Sequence, residues 1–345
     1  MNQFTLEECN RIMKAYDLPV SSEVEMIDSS RGDQNIRHNY ILDHKYVLRV
    51  NSTKALSEDI LKGLNRLIHR YNDFGVRAPL FLEDPNGIIL HQDNEMIYYV
   101  SEYLDGMTPS DEMSEEQEAT LVRERLQLIS SFAAKYKNEG LLPFMSMYSI
   151  IELSPDDELI GMDEKQANLN QLVQVLRNCG EEQMADHIEK VNEETRDKLL
   201  RFYKELPRCS FQGDENWQNL IIDEKYHIQG LFDFNMAGTD VVVNYFANNA
   251  LLEPDYLDEE HMTKLSAAEI FQMTLDAFRE NTKVLEAHYN FSEMEKIAYT
   301  LYARIVLISA FPNVCAFRYF LQKEEYKEKA KVLLGYFADS DLTIF

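Results

Sequence analysis

The 345-residue chain predicts an α+β fold in two lobes, residues 1–104 rich in strands and residues 105–345 mainly helical. Three observations lead there. Short β-like runs separated by polar turns cluster before residue 105, whereas long apolar stripes at 3,4 spacing follow it. A single β-rich stretch, residues 209–234, interrupts the helical part. Charge divides at nearly the same place: residues 1–100 carry 15 acidic and 11 basic side chains, and the remainder carries 45 and 23.

Thr5 and Glu8 make the capping box of a helix reaching about Tyr16. Residues 24–27, 39–42 and 46–50 then read as strands. The last two are joined by Asp43, His44 and Lys45, a hairpin connection without the Asn-Gly or Asp-Gly signal. Ile60, Leu61, Leu64, Leu67 and Ile68 recur at helical spacing, so residues 57–71 form a helix with one buried face. Runs 80–82, 88–90 and 96–100, separated by polar residues 84–87 and 92–95, bring the first lobe to about five strands with one inserted helix. Ser114 and Gln117 form a second capping box, opening a helix with Leu121, Leu128, Ile129, Phe132 and Ala133 on its apolar stripe. Further helices are expected at 164–177 and 181–206, and from 264, 292 and 314 onward.

Composition narrows the function. With 45% hydrophobic and 11% aromatic residues the chain can bury a core, which excludes a disordered protein. A net charge of −26 repels phosphate backbones, so nucleic acid is not an expected partner. No apolar run approaches the ~20 residues of a membrane span, and the N-terminus lacks a signal-like pattern; the expectation is a cytoplasmic protein with no membrane partner. Cys9, Cys179, Cys209 and Cys315 lie far apart, which points to reduced thiols and neither a disulfide framework nor a zinc site.

Chemistry concentrates in the β-rich exception. Asp214 follows Gly213, Asn219 opens the apolar run 220–222, and Asp233 closes the run 230–232. A hairpin of 219–222 against 227–232 brings Asn219 and Asp233 together at one end, with Asp214 in the preceding loop. A carboxylate and an amide oxygen can hold Mg²⁺ on nucleotide phosphates, while a second carboxylate orients and deprotonates an attacking hydroxyl.

The pattern Gly213-Asp214, five residues to Asn219, fourteen more to Asp233-Phe234, resembles the aminoglycoside phosphotransferase and choline kinase-like family of small-molecule kinases. The resemblance runs from about Val24 to Tyr319. It implies a bilobal protein-kinase-like fold, with a small β-rich N-lobe holding one helix and a larger, mainly helical C-lobe containing a catalytic β-hairpin. It implies Asp214 as catalytic base and Asn219 and Asp233 as metal ligands. Arg49 stands where the family strand carries a phosphate-binding Lys, with Glu58 or the neighbouring Asp59 as its acidic partner on the next helix. Ser101, Glu102, Tyr103 and Leu104 occupy the linker whose backbone meets the nucleotide base, and residues 29–35 fall where a phosphate-covering loop belongs. The implied cofactors are ATP or GTP with Mg²⁺; the implied partner is a small-molecule hydroxyl acceptor.

Three residues depart from the family pattern: Arg49 replaces Lys, Gln212 replaces His, and Asn244 replaces Asp. They motivate an alternative, a catalytically weakened kinase-like protein that binds nucleotide or a partner. For the acceptor, the acidic excess of the second lobe and Tyr245, Glu253, Asp255, Tyr256, Phe317 and Tyr319 favour a cationic, amine-containing molecule of aminoglycoside, choline-like or amino-alcohol type. Trp217, the only Trp, either shields the site, stacks on a substrate or anchors the loop.

Overall fold

The computed structural model describes residues 3–30, 36–52, 56–93, 96–110, 112–251, 256–342 and 344–345. In chain order these form α1 (Leu6–Ala15), β1 (Val24–Asp28), β2 (Arg37–Leu42), β3 (Tyr46–Asn51), α2 (Glu58–Phe74), β4 (His91–Asp93) and β5 (Met96–Glu102). Then come α3 (Glu115–Tyr136), α4 (Pro155–Ile160), α5 (Glu164–Asn178), α6 (Glu182–Leu200), β6 (Arg208–Phe211), β7 (Leu220–Ile222), β8 (Ile228–Leu231) and β9 (Gly238–Val241). The chain ends with α7 (Val242–Leu251), α8 (Glu259–Lys264), α9 (Ala267–His288), α10 (Glu293–Ser309), α11 (Phe311–Leu321) and α12 (Glu324–Asp339). They fall into two compact units, Met1–Gln117 with Asp214–Met236, and Glu118–Gly213 with Ala237–Phe345.

The first unit is built on an antiparallel sheet in the order β1-β2-β3-β5-β4. Strand alternation gives it two different faces. Tyr40, Leu42, Leu48, Val50 and Val100 pack under α1 against Cys9, Ile12, Met13 and Tyr16. The other face carries Asn39, Arg49 and Tyr99, aligned by the pairs Asn39↔Arg49 and Arg49↔Tyr99, with Ser101 one pleat further along β5.

The β2–β3 connection is a type I′ turn made without its usual residues. Asp43 and His44 have φ of 48° and 50°, and the Lys45 N–H closes the turn on the Leu42 carbonyl at 2.9 Å. The Asp43 carboxylate accepts the N–H groups of Ser22 and Glu23, each at 3.0 Å, which holds the turn in place of a glycine's freedom.

Two expected strands change. Residues 80–82 contribute only an isolated bridge, Phe81↔Ser101, and residues 88–90 are not a strand. The Glu58 carboxylate takes the N–H groups of Ile89 and Leu90 at 3.0 and 2.8 Å, so pairing starts one residue later, at β4. Helix α2 itself begins after the Ser57 cap and stops at Gly75, whose φ of 96° suits only glycine comfortably.

The β7–β8 hairpin belongs to this first unit. Leu220 pairs with Leu231, and the Phe232 N–H donates to the Asn219 carbonyl at 3.1 Å. Gly230 lies so close to Arg77 that a Cβ would stand 2.9 Å from its carbonyl oxygen, so a side chain is excluded there.

The second unit is helical around α7, all ten of whose residues are buried. Capping boxes Ser266–Glu269 and Ser292–Glu295 start α9 and α10. The helix expected over 181–206 ends at Leu200 and gives way to a 3₁₀ turn, Tyr203–Glu205, and α11 begins before the expected residue 314, with Pro312 in its first turn. Among the described residues no single helix is long and apolar enough to cross a membrane.

Candidate active site

The loop from β6 to β7 sets the position of each polar group. Gly213 has φ 91°, and its N–H donates to the Tyr245 phenol oxygen at 3.1 Å. Asp214 comes next and is held from both sides. Asn216 donates to Asp214 Oδ1 at 2.8 Å; Asn219 donates to Asp214 Oδ2 at 3.0 Å and to its main-chain oxygen at 2.9 Å. Asn216 also accepts the Gln218 N–H at 3.0 Å, starting the 3₁₀ turn Trp217–Asn219 that delivers Asn219 to the base of the hairpin. Trp217 is half-buried within that turn.

Asp233, directly after the hairpin's last bond, has a left-handed φ of 59°, a conformation that Asp tolerates better than most residues. Its charge acts on Asp214. Burial pushes the Asp214 carboxyl above its ordinary value and Asp233 adds to this, while hydrogen bonds from Asn216 and Asn219 oppose it. The sequence-predicted trio Asp214, Asn219 and Asp233 is therefore brought together.

The donor set suits Mg²⁺, which prefers oxygen ligands and keeps room for phosphate. The Asn219 amide nitrogen is spent on Asp214, whereas its Oδ1 accepts no hydrogen bond among the described residues. Among those residues no cluster of three or more His, Cys, Asp or Glu could hold a metal alone. Asn219 and Asp233 would therefore hold the ion jointly with the phosphates of a nucleotide.

On the sheet, Arg49 Nη1 donates to Ser101 Oγ at 2.5 Å, and the guanidinium lies 6.0 Å from the Tyr99 ring centroid. The expected pairing of Arg49 with Glu58 is absent. Glu58 binds the Ile89 and Leu90 N–H groups and pairs with Lys62 at 3.1 Å, one helical turn on. In the linker, the Glu102 N–H donates to the Leu80 carbonyl at 3.0 Å and the Tyr103 N–H to the Lys45 carbonyl at 2.8 Å. The Leu104 N–H makes no hydrogen bond among the described residues, so of these three it is the donor left for a ligand. Residues 31–35 of the expected phosphate-covering loop, and Glu253 and Asp255, lie outside the described residues.

The aromatic acceptor candidates are mostly structural. Tyr245 and Phe317 are fully buried, and Tyr245 stacks on Phe211 with ring centroids 3.8 Å apart. Tyr256 packs edge-on against His261, and Tyr319 is exposed beside Lys323, its hydroxyl on Glu259 at 3.1 Å. Gln212, one of the three departures, is fully buried.

Asp240 is a residue that sequence reasoning missed. Buried, it accepts from Ser146 Oγ at 2.7 Å, the Val241 N–H at 2.7 Å and Asn244 Nδ2 at 2.9 Å. Burial raises its carboxyl to about 6, against the opposing pull of these donors. The departure at Asn244 now has a physical reason: an amide donates to Asp240, where a second carboxylate would repel it. The available signal was an acid inside the apolar run 237–243, four residues before Asn244.

The profile of the APH phosphotransferase enzyme family matches residues 31–247, which include Arg49, Asp214, Asn219 and Asp233. The chain belongs to that family and is a phosphotransferase of kinase-like fold. No curated protein matches the sequence. Among solved structures, amicoumacin kinase hAmiN in complex with AMP-PNP, Ca²⁺ and Ami is similar at 13% identity, with 93% of this chain and 90% of that chain covered and a TM-score of 0.52. The streptomycin–ATP complex of APH(2'')-IIa aligns over 100% of both chains at 14% identity, with a TM-score of 0.47.

Proposed function

We propose that the protein transfers the γ-phosphoryl group of ATP or GTP to a hydroxyl of a small, amine-containing molecule. The observation that carries this is the Asp214–Asn219–Asp233 arrangement, a half-buried carboxylate held by an amide whose oxygen accepts no hydrogen bond among the described residues. Asp214 accepts the acceptor's hydroxyl proton as the acceptor oxygen bonds to the γ-phosphorus and the bond to the bridging oxygen breaks, releasing the nucleoside diphosphate. Mg²⁺, when bound, neutralises charge on the phosphates. Arg49 meets the non-transferred phosphates with a fork of N–H donors, and the Leu104 N–H meets the base edge. A half-buried Asp with a raised pKa is a better proton acceptor than an exposed one, because the charge it gives up on protonation is less well solvated.

A cationic acceptor follows from charge. Residues 101–345 carry 45 acids against 23 bases, a field that concentrates amines. The test is steady-state phosphotransfer from ATP and from GTP, with Mg²⁺, to aminoglycosides, choline-like compounds and amino alcohols, with neutral sugars as controls. Transfer to amines above neutral sugars supports the reading; transfer to neutral sugars alone overturns the cationic part of it.

A second reading, a weakened kinase-like nucleotide-binding protein, is favoured by the engagement of Glu58 away from Arg49. Nucleotide binding without transfer to any acceptor in the panel would select it.

A further inference from the structure

Glu58 cannot hold Arg49 while it satisfies two backbone N–H groups and Lys62, yet Arg49 is not left loose. Arg49, Tyr99 and Ser101 share one face of the sheet, through the β3–β5 register. Ser101 is fully buried, and its hydroxyl has a defined polarity. Its proton goes to the Glu102 carbonyl at 3.1 Å, which leaves lone pairs for the Arg49 Nη1 donor. The Tyr99 ring stands beside the guanidinium, and its own phenol is held by Asn51.

We propose that the Ser101 hydroxyl and the Tyr99 ring, in place of the helix carboxylate of Glu58, position Arg49 for the nucleotide. This rests on the reading of Arg49 as the phosphate-binding cation. Two consequences follow from the chemistry. A neutral hydroxyl leaves the guanidinium its full positive charge, where a carboxylate partner would cancel it; in a chain of net charge −26 that uncompensated cation matters for drawing in a polyphosphate. Ser101 also joins two subsites, because it bonds Arg49 and the carbonyl of the linker residue Glu102. Base recognition and phosphate binding are thereby tied through one side chain, and the setting of α2 is relieved of that task.

The fork geometry of Arg is what allows it. One nitrogen can rest on Ser101 while others remain for phosphate, whereas a Lys ammonium is a single point of charge. Arg49→Lys should therefore lose the benefit of Ser101.

The test is equilibrium binding of ATP with Mg²⁺, by calorimetry, to the full chain and to Ser101→Ala, Ser101→Thr, Ser101→Cys, Glu58→Gln, Arg49→Lys and the Arg49→Lys/Ser101→Ala double variant. Thermal melts report on folding. Ser101→Ala and Ser101→Cys should each weaken binding about tenfold, as loss of a hydrogen bond to a charged group does. Ser101→Thr should bind within about threefold of the parent, and Glu58→Gln should bind as the parent does even where its melting temperature falls. Adding Ser101→Ala to Arg49→Lys should weaken binding no further. In steady-state assays the Ser101→Ala loss should fall on KM for nucleotide, with kcat changed less than twofold. Unchanged binding in Ser101→Ala and Ser101→Cys, or a loss in Glu58→Gln as large as theirs, overturns the proposal while nucleotide binding itself stands. Absence of nucleotide binding in the parent protein overturns both this and the function it rests on.

Discussion

The side-chain amide of Asn219 donates to both the carboxylate and the main-chain carbonyl of Asp214, at 3.0 and 2.9 Å. One group thus serves two purposes: its nitrogen fixes the proposed base, and its oxygen stays available to a metal. Asn219→Asp separates them, because it keeps an oxygen ligand and loses the donor. Its kcat should fall by about 10²-fold, since a misplaced general base forfeits that order of rate. The dependence on Mg²⁺ concentration should change far less than the rate. A Mg²⁺ titration of kcat checks this, and unchanged kcat would remove the orienting role.

The acid limb of the rate profile should answer to Asn216. Its bond to Asp214 Oδ1 stabilises the carboxylate and opposes the effects of burial and Asp233. Asn216→Ala should therefore raise the Asp214 pKa further and move the acid limb of kcat/KM to higher pH. A profile with an unmoved limb contradicts the assignment of that limb to Asp214.

Asp240 gives a stability prediction with a defined sign. Its folded-state value of about 6 exceeds the 3.8 of an ordinary Asp, so the fold favours the protonated form. That contribution is complete below pH about 3.8 and is lost as pH rises through about 6. Relative to Asp240→Asn, which cannot titrate, the parent should lose roughly 2 kcal/mol of unfolding free energy between pH 4 and 7. Urea unfolding at several pH values measures the difference; a constant difference contradicts it.

His44 occupies a left-handed position in the β2–β3 turn and is exposed. His44→Gly creates the Asp-Gly pair that type I′ turns favour and should stabilise the protein by about 0.5–1 kcal/mol, offset in part by the lost edge contact to Tyr103. A lower urea midpoint for this variant would show that the ring contact outweighs the backbone strain.

The β7–β8 hairpin was legible because Asn219 and Asp233 bracket short apolar runs, and period-2 pairing needs no distant information. The capping boxes of α1, α9 and α10 are likewise local: the sequence predicts the first as a box, and the helices it predicts from 264 and 292 lie close to the observed starts. What escaped depends on partners remote in sequence. Residues 88–90 have strand-like side chains, but a carboxylate about thirty residues earlier claims their N–H groups. The same bonds removed Glu58 from Arg49, and no pattern within 46–58 could reveal it. Helix α7 opens on two Val residues, Val242 and Val243, that favour strands, and burial of the whole helix overrides that preference. Tyr245 is an acceptor candidate by sequence, yet its phenol supports Gly213 from inside the core.

The most direct measurement is turnover by Asp214→Asn beside its affinity for ATP with Mg²⁺. With Asp214 as the base, kcat for the best amine acceptor should fall by about 10²-fold to 10⁴-fold while nucleotide binding stays within a few-fold of the parent. Near-parental turnover in a variant that binds nucleotide normally would contradict Asp214 as the base.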